Sequence, residues 1–249
     1  MPPAFVKTRA DAPPDFFAAE AAGLHWLAEA MPHGGPSVPE VIHVSEGEIR
    51  LERIETAAWS AQADEQFGRA LAAMHALGAP TFGASANGYI GPLPLDNTPC
   101  EAWTDFFVER RLEPYLRRAV DQGSMPDSAV AVFDRLMGRI PEIAGPAEPP
   151  CRIHGDLWRG NVLASPDGRT WVIDPAAHGG HRETDLAMMR LFGGFGPRCY
   201  AAYQESWPLA DGHQDRVALH QLHPLLVHAV LFGGSYGADA LRAARTYVA

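Results

Sequence analysis

Strand-like and helix-like patterns of apolar and polar positions alternate in the N-terminal part of the chain. A short apolar run in Ala4–Thr8 predicts a strand, and apolar residues at helical spacing predict a helix over Asp15–Ala30. Two further runs, Val38–Val44 and Glu48–Ile54, flank the Glu46-Gly47 dipeptide, which is typical of a turn between strands. This part of the chain therefore predicts the order strand, helix, strand, strand.

Apolar residues at helical spacing dominate the rest of the chain. Helices are predicted over four segments, at residues 63–77, 101–120, 128–140 and 214–232. Between the last two, Arg152–Val172 contains short strand-like runs and follows a proline-rich linker at residues 146–150. We therefore predict an α+β fold of two lobes, a small strand-containing lobe at residues 1–56 and a larger, mainly helical lobe at residues 57–249.

Composition and charge restrict the class of protein. The chain has 249 residues, of which 47% are hydrophobic, enough to build a full core. A formal net charge of -10 without a basic block argues against nucleic acid as the main partner. No apolar run reaches the length of a membrane span. The three cysteines, Cys100, Cys151 and Cys199, are far apart and lack the spacing of a metal site, so we expect them to pack as small apolar residues in a reducing compartment. We expect a cytoplasmic protein that binds neither nucleic acid nor membrane.

The segment CRIHGDLWRGNVL places polar side chains among apolar ones. Asp156 follows His154-Gly155, Asn161 comes five residues after Asp156, and Asp174 lies in an Ile-Asp-Pro context. This is the spacing of a phosphotransfer catalytic loop. A hydroxyl nucleophile needs a carboxylate that orients it and accepts its proton, the role that we predict for Asp156. Mg²⁺ prefers hard oxygen ligands, which Asn161 and Asp174 can supply.

Simpler structural roles compete with these. An Asp followed five residues later by Asn is also compatible with a turn or a helix cap, and the longer pattern that includes Asp174 favours catalysis. We expect His154 to brace the loop through hydrogen bonds rather than to act as a base. The late histidines His220, His223 and His228 lack a matching third-ligand motif, so we interpret them as packing or surface residues rather than as a metal site.

Several longer stretches resemble the fructosamine kinase (ketosamine-3-kinase) family. They are HGDLWRGN at residues 154–161, IDPAAHGGHRETDLAM at 173–188 and HQLHPLLVHAVLFGGSY at 220–236. Trp158 and the run from Gly180 to Met188 distinguish this family from aminoglycoside phosphotransferases, choline kinases and protein kinases, to which it is similar in fold. The resemblance extends from Phe5 to about Tyr236. It implies a protein-kinase-like fold of two lobes.

The resemblance also implies an activity. Members are ATP-dependent kinases that phosphorylate the 3-hydroxyl of ketosamines such as fructosamines and ribulosamines, and the 3-phosphate promotes spontaneous loss of the sugar, which repairs the amine. Carried over by position, Lys7 holds the α- and β-phosphates of ATP and pairs with Glu20. The adenine is expected at the hinge residues Glu52, Arg53 and Ile54.

The same resemblance assigns residues to the other half of the site. Asp156 is implied as the catalytic base, with Asn161 and Asp174 on Mg²⁺, and Trp158, His181 and Asp185 are expected near the sugar. Structural roles remain open for several of these: Trp158 in the core, His181 beside a carboxylate and Asp185 as a helix cap. The neighbouring Arg182 and Glu183 are expected to pair with each other or with Asp185.

The start of the chain differs from the family pattern. The resemblance implies two further strands and a loop over the ATP phosphates before the strand that bears the lysine, whereas this sequence reaches Lys7 after six residues without a glycine-rich segment. We therefore expect a small lobe that lacks its first strands and a weaker ATP clamp. Phosphotransfer to another hydroxylated amine (an aminoglycoside or choline) and a weakly active binding protein remain alternatives. The sequence leaves open which sugar amine is preferred, whether it is free or protein-bound, and the oligomeric state.

Overall fold

The computed structural model describes residues 4–248, so the outermost residues of the two predicted lobes, 1–3 and 249, lie outside the described part. Within that part the chain combines small antiparallel sheets with a majority of helices, as predicted for an α+β fold. None of the helices between residues 4 and 248 is both long enough and apolar enough to cross a membrane.

The first sheet lies at the N-terminal end. Strands β1 (Ala4–Thr8), β2 (Val41–Ser45) and β3 (Glu48–Glu52) are antiparallel in the order β1-β3-β2, and helix α1 (Phe16–Ala28) lies between β1 and β2 in sequence. The predicted order strand, helix, strand, strand is confirmed. Alternate residues of β3 are buried, as expected for a strand with one face against the core.

Strand β2 begins three residues later than predicted. Pro39 has no N–H to donate to a ladder, and the residue just before the predicted strand makes a different contact. Ser37 donates its N–H to the Thr170 oxygen at 2.8 Å and accepts the Val172 N–H at 2.9 Å. This short segment therefore joins the N-terminal sheet to a strand pair that carries part of the catalytic motif.

Six shorter strands form three antiparallel pairs. In chain order they are β4 (Gly88–Ile90), β5 (Leu93–Leu95), β6 (Cys151–Ile153), β7 (Val162–Ala164), β8 (Thr170–Val172) and β9 (His178–Gly180). β4 pairs with β5, β6 with β9, and β7 with β8. The strand-like runs predicted within Arg152–Val172 are confirmed, whereas the β4–β5 hairpin was not predicted.

Nine further helices complete the described part. They are α2 (Ala61–Ala76), α3 (Trp103–Phe106), α4 (Glu113–Asp121), α5 (Ser128–Ile143), α6 (Arg182–Phe192), α7 (Pro197–Ser206), α8 (His213–His220), α9 (Leu222–Phe232) and α10 (Tyr236–Arg245). The helices predicted at 63–77 and 128–140 are confirmed with small changes at their ends. Helices α7 and α10 were not predicted.

Two long predicted helices are wrong as continuous elements. The segment 101–120 is divided by a π-helical stretch, Phe107–Leu112, which changes the side chains that face inward and contains the buried Arg111. The segment 214–232 is divided into α8 and α9 at Gln221, because Pro224 cannot donate an N–H to the turn before it.

The described part has two hydrophobic cores. One joins α1 and the first sheet to α2, α6 and α7, and the catalytic segment contributes Leu157 and Val162 to it. The other is mainly helical, is built around Phe133, Leu136 and Leu226, and also includes Ile90 of β4 and Leu95 of β5. Because the catalytic segment is anchored in the first core, its polar residues are held between the N-terminal sheet and the helices.

Candidate active site

A rigid loop presents Asp156 at the end of β6. Leu157 and Val162 are fully buried and anchor the loop on both sides of the exposed Trp158. Gly155 has φ = 81°, and a Cβ at this position would lie 2.2 Å from the backbone oxygen of Ala176. Only glycine fits that close approach, so the backbone before Asp156 is fixed by contact with the neighbouring loop.

Asn161 is bonded directly to Asp156. Its Nδ2 donates to the backbone oxygen of Asp156 at 2.9 Å and to Oδ2 of the same residue at 3.2 Å. With the amide nitrogen used in this way, the amide oxygen is turned away from Asp156, and it makes no hydrogen bond to any other residue between 4 and 248. Asn161 therefore orients the carboxylate and keeps one free oxygen.

His154 links this loop to the loop that carries Asp174. Its Nε2 lies 2.9 Å from the Ile173 oxygen, and its Nδ1 lies 3.2 Å from the Asp156 nitrogen. A carbonyl can only accept and a backbone nitrogen can only donate, so Nε2 carries the proton. The predicted bracing role of His154 is confirmed.

Asp174 follows β8 and has a left-handed backbone, with φ = 56°. Among non-glycine residues, aspartate tolerates this conformation comparatively well. Its carboxylate forms an ion pair with Lys7 Nζ, which also lies 2.6 Å from Glu20 Oε1. Burial opposes the charge on Lys7, but the two carboxylates outweigh it and raise the pKa of the ammonium group. The lysine of β1, the glutamate of α1 and the aspartate after β8 thus meet at one point.

These residues border a single large cavity of about 700 Å³, which we call the main cavity. Lys7, Asp156, Asn161, Asp174 and Trp158 all line it, so the structure brings together most of the residues singled out in the sequence. Trp158 is 43% exposed, and its ring covers Gly160, where a Cβ would lie 2.2 Å from the indole. Its flat face is thus available at the mouth of the cavity.

Burial raises the pKa of the Asp156 carboxyl above its ordinary value. The neighbouring Asp174 carboxylate acts in the same direction, while His154, His228 and the hydrogen bond from Asn161 act against it. A carboxylate with a raised pKa is a stronger base, which suits the acceptance of a proton from a hydroxyl.

The structure does not bring the predicted hinge residues to the main cavity. Glu52 ends β3, and its side chain accepts the Glu40 N–H at 3.3 Å. Arg53 is exposed and Ile54 half-buried, and neither lines the main cavity. None of the three residues predicted to meet adenine therefore borders the main cavity.

Asp185 does not lie in the main cavity, contrary to the predicted place beside the sugar. Its side chain is fully buried beneath the catalytic loop, where Oδ2 accepts the His154 N–H at 2.7 Å and Oδ1 accepts the Gly155 N–H at 2.9 Å. His75 Nε2 lies 3.1 Å from Oδ2. Burial alone would raise the pKa of Asp185, but the bonds from His75 and from the loop hold it below its ordinary value. Both oxygens of Asp185 therefore bind the backbone of the loop rather than a substrate.

His181 also lies outside the main cavity. Its Nδ1 accepts the Glu183 N–H at 3.2 Å, which caps α6, and its ring packs 5.1 Å from the ring of Trp103. Burial lowers the pKa of this imidazole to about 4, so it is neutral near pH 7. The predicted contact between His181 and the sugar is not seen, because this side chain caps α6 and packs against Trp103.

The predicted pairing of Arg182 and Glu183 with each other or with Asp185 is wrong. Arg182 forms a two-bond ion pair with Glu148, at 2.6 and 2.7 Å, and Glu183 forms another with Arg216, at 3.0 and 2.6 Å. Both partners are remote in sequence, and local spacing does not reveal them. The two pairs hold the start of α6 in place, and with it Asp185.

Two cavity residues were not recognised from the sequence as part of the site. Tyr89 of β4 donates its hydroxyl to Asp15 Oδ1 at 2.6 Å, and Asn97, after β5, lies in the cavity wall with 3% exposure. Tyr89 lies within the Asn-Gly-Tyr-Ile-Gly stretch at residues 87–91, and Asn97 follows this stretch by six residues.

Comparisons with known proteins identify the family. The model of the fructosamine kinase family matches residues 2–249. A probable ketoamine kinase of Thermus thermophilus is 37% identical over 239 residues, which is 93% of this chain and 82% of the relative. The chloroplastic protein-ribulosamine 3-kinase of Arabidopsis thaliana is 32% identical over 247 residues, which is 95% of this chain and 73% of the relative.

Solved structures give the same relationship. A fructosamine-3-kinase homologue from Thermobifida fusca superposes with a TM-score of 0.92 at 47% identity, covering 99% of this chain and 86% of the other. A choline kinase from Streptococcus pneumoniae, at 14% identity and a TM-score of 0.64 over 98% of this chain and 85% of the other, shares the fold alone. The protein-kinase-like fold expected from the sequence is confirmed. The chain belongs to the fructosamine kinase family.

Proposed function

We propose that this protein is an ATP-dependent ketosamine 3-kinase. The observation that carries the proposal is the convergence of Lys7, Asp156, Asn161 and Asp174 on one cavity large enough for a sugar amine beside a polyphosphate. The named relatives, a ketoamine kinase and a ribulosamine 3-kinase, support ketosamines over aminoglycosides or choline as the substrate class.

Asp156 acts as the base of the reaction. Its carboxylate is held by Asn161 and by the loop, and it accepts the proton of the sugar 3-hydroxyl as that oxygen attacks the γ-phosphorus of ATP. The bond between the γ-phosphorus and the bridging oxygen breaks, and the electron pair leaves with ADP. The products are ADP and a ketosamine 3-phosphate, from which the sugar is lost spontaneously.

The donor set fits Mg²⁺. The Asn161 amide oxygen has no partner among residues 4–248, and one carboxylate oxygen of Asp174 lies outside its ion pair with Lys7. Hard oxygen donors on one cavity wall suit a small divalent cation that also binds phosphate. A bound Mg²⁺ supplies positive charge that balances the phosphate oxygens during transfer. The pairing of Lys7 with Asp174 is then expected to relax as the lysine turns to phosphate.

Lys7 is the residue that we assign to the ATP phosphates. Its ammonium group forms an ion pair with Glu20 on α1, so the position of this helix determines where the ammonium group lies in the main cavity. We further propose that residues 1–56 form the nucleotide lobe, with adenine near Glu52, Arg53 and Ile54, and that residues 57–249 form the catalytic and substrate lobe. Trp158 offers a flat apolar face for a sugar ring.

The cellular setting follows from the cysteines and the charge. Cys151 and Cys199 are buried as free thiols, and burial raises the pKa of each to about 12, so both are inert small apolar groups. Together with an acidic net charge of -10, this favours a reducing cytoplasm and a small-molecule or protein-bound ketosamine as partner rather than nucleic acid.

The activity is tested by ADP release from the purified chain with Mg²⁺ and ATP. The acceptors are fructosamines, ribulosamines, an aminoglycoside and choline, and Asp156→Asn serves as the blank. Turnover on the ketosamines that disappears in Asp156→Asn supports the proposal. Turnover only on the aminoglycoside or choline, or none at all from folded protein, contradicts it.

A further inference from the structure

Asn97 is a buried amide in the wall of the main cavity. It follows β5 and is only 3% exposed, yet it shares that wall with Asp156. Its backbone is fixed on both sides, since its N–H donates to Asn87 Oδ1 at 2.8 Å and its oxygen accepts the Ala84 N–H at 2.9 Å. The residue therefore holds one position without help from a ligand.

Arg111 determines which way the amide points. Its Nη2 donates to Asn97 Oδ1 at 2.5 Å, and its Nη1 donates to the backbone oxygen of Asp96 at 2.5 Å. The guanidinium group also packs over the ring of Phe106, 4.3 Å from its centroid. Burial lowers the pKa of Arg111 to about 10, which still leaves it charged at neutral pH. Because arginine has donors only, the amide oxygen must face it and Nδ2 must face away.

Nδ2 of Asn97 makes no hydrogen bond to another residue between 4 and 248, and it is not sealed from the cavities. Gly88 lies beside this amide, and a Cβ added there would be in van der Waals contact with Nδ2 at 3.5 Å. The amide also borders a second cavity of about 420 Å³ and stands where the two spaces meet. A donor that faces a cavity and has no protein partner is free to bind an acceptor brought by a ligand.

We propose that Asn97 Nδ2 donates a hydrogen bond to a hydroxyl or carbonyl oxygen of the sugar and so determines which ketosamines are held beside Asp156. The proposal rests on the ketosamine kinase function. Asn97 binds the acceptor substrate, and Arg111 is a positioning residue that acts through it. The interaction contributes to sugar recognition and leaves ATP binding to Lys7 and its neighbours.

The test uses Asn97→Asp, which keeps an oxygen for Arg111 and removes the donor. Kinetics are measured on a ketosamine and on analogues that lack one sugar oxygen each. We expect kcat/KM for the parent ketosamine to fall roughly 10- to 100-fold, mainly through KM, with KM for ATP unchanged. The analogue that lacks the oxygen bound by Asn97 is expected to have a low kcat/KM with the unmodified protein. Its kcat/KM is expected to be the same with Asn97→Asp, because the hydrogen bond is already missing.

Gln66→Glu is the control for the added charge, because it converts an amide into a carboxylate at an exposed residue of α2 that lines neither cavity. It is expected to leave both KM values within about twofold, as for a change without loss of a substrate contact. The proposal is overturned if Asn97→Asp leaves kcat/KM unchanged, if it lowers activity equally on every analogue, or if it changes only thermal stability or KM for ATP. Absence of ketosamine turnover in the unmodified protein would instead contradict the proposed function.

Discussion

Asp185 Oδ2 accepts the backbone N–H of His154 at 2.7 Å from below the catalytic loop. The other oxygen accepts the next N–H, that of Gly155, at 2.9 Å, so a single buried carboxylate satisfies both donors. These two donors immediately precede Asp156 in the chain. The position of the Asp156 carboxylate therefore depends on a residue that does not reach the cavity.

Asp185→Asn is expected to destabilise the protein and to reduce kcat. An amide has one acceptor oxygen, so one buried N–H is left to face an NH₂ group, at a cost of about 1–3 kcal/mol in the free energy of unfolding. Misplacement of Asp156 is expected to lower kcat roughly 10- to 100-fold. Urea unfolding and steady-state kinetics measure the two effects.

Asp239→Asn is the control for Asp185→Asn. Asp239 forms an exposed ion pair with Arg242 within α10, and its loss is expected to change the free energy of unfolding by less than about 1 kcal/mol. A wild-type kcat in folded Asp185→Asn would show that the carboxylate does not position the loop.

Gly155→Ala is expected to cost stability and activity together. A methyl group here meets the Ala176 oxygen at 2.2 Å in addition to requiring φ = 81°. Gly168 is the matched control, since it has φ = 87° but nothing within 4 Å of an added Cβ. Gly168→Ala is expected to cost about 1–2 kcal/mol from the backbone alone and to keep full kcat. Equal losses in the two variants, measured by urea unfolding, would rule out the steric contact as the cause.

The sequence was sufficient to predict that Asp156 and Asn161 lie together, because the two belong to one local motif. Asp156 and Asn161 are five residues apart on one anchored loop, and the buried residues around them are visible as short apolar runs. The order of the first three strands and α1 was likewise readable from alternating and helical periods. These features depend on neighbours in the chain, so a single sequence carries them.

The residues around this centre could not be placed from the sequence, because their partners are remote. Asp185 is fixed by His75, which precedes it by 110 residues, and Arg182 is fixed by Glu148. A charged residue next to a motif looks the same in sequence whether it faces a substrate or a buried partner. The role of Asn97 is hidden for the same reason, since it depends on Arg111 in a π-helical stretch.

The pH dependence of kcat/KM is expected to have an acid limb set by Asp156. Only the carboxylate accepts a proton, so activity falls as pH decreases through the pKa of this group in the free enzyme. Burial raises that pKa, and the midpoint of the limb is expected above the ordinary value of 3.8. The rate is measured with ATP and the ketosamine both far below their KM values, so that the profile reports the free enzyme, over a pH range in which fluorescence shows folded protein. A midpoint at or below 3.8 contradicts this assignment.

Asp156→Asn is expected to abolish activity and to stabilise the fold. A carboxyl group whose pKa is raised by folding binds its proton more tightly in the folded state, so at neutral pH its charge disfavours folding. Asparagine removes the charge and keeps an oxygen that can accept from Asn161 Nδ2. We expect a gain of about 0.5–2 kcal/mol in the free energy of unfolding at pH 7.

Asp167→Asn provides the control of opposite sign for Asp156→Asn. Hydrogen bonds from Ser165 and Arg169 lower the pKa of Asp167 to about 2, so its stabilising effect is present above pH 4 and is lost as pH falls toward 2. Asp167→Asn should therefore lose stability at neutral pH. The gain from Asp156→Asn should shrink as pH falls through the raised pKa, where the unmodified side chain also becomes neutral. A gain that is constant with pH would show that packing, rather than buried charge, stabilises Asp156→Asn.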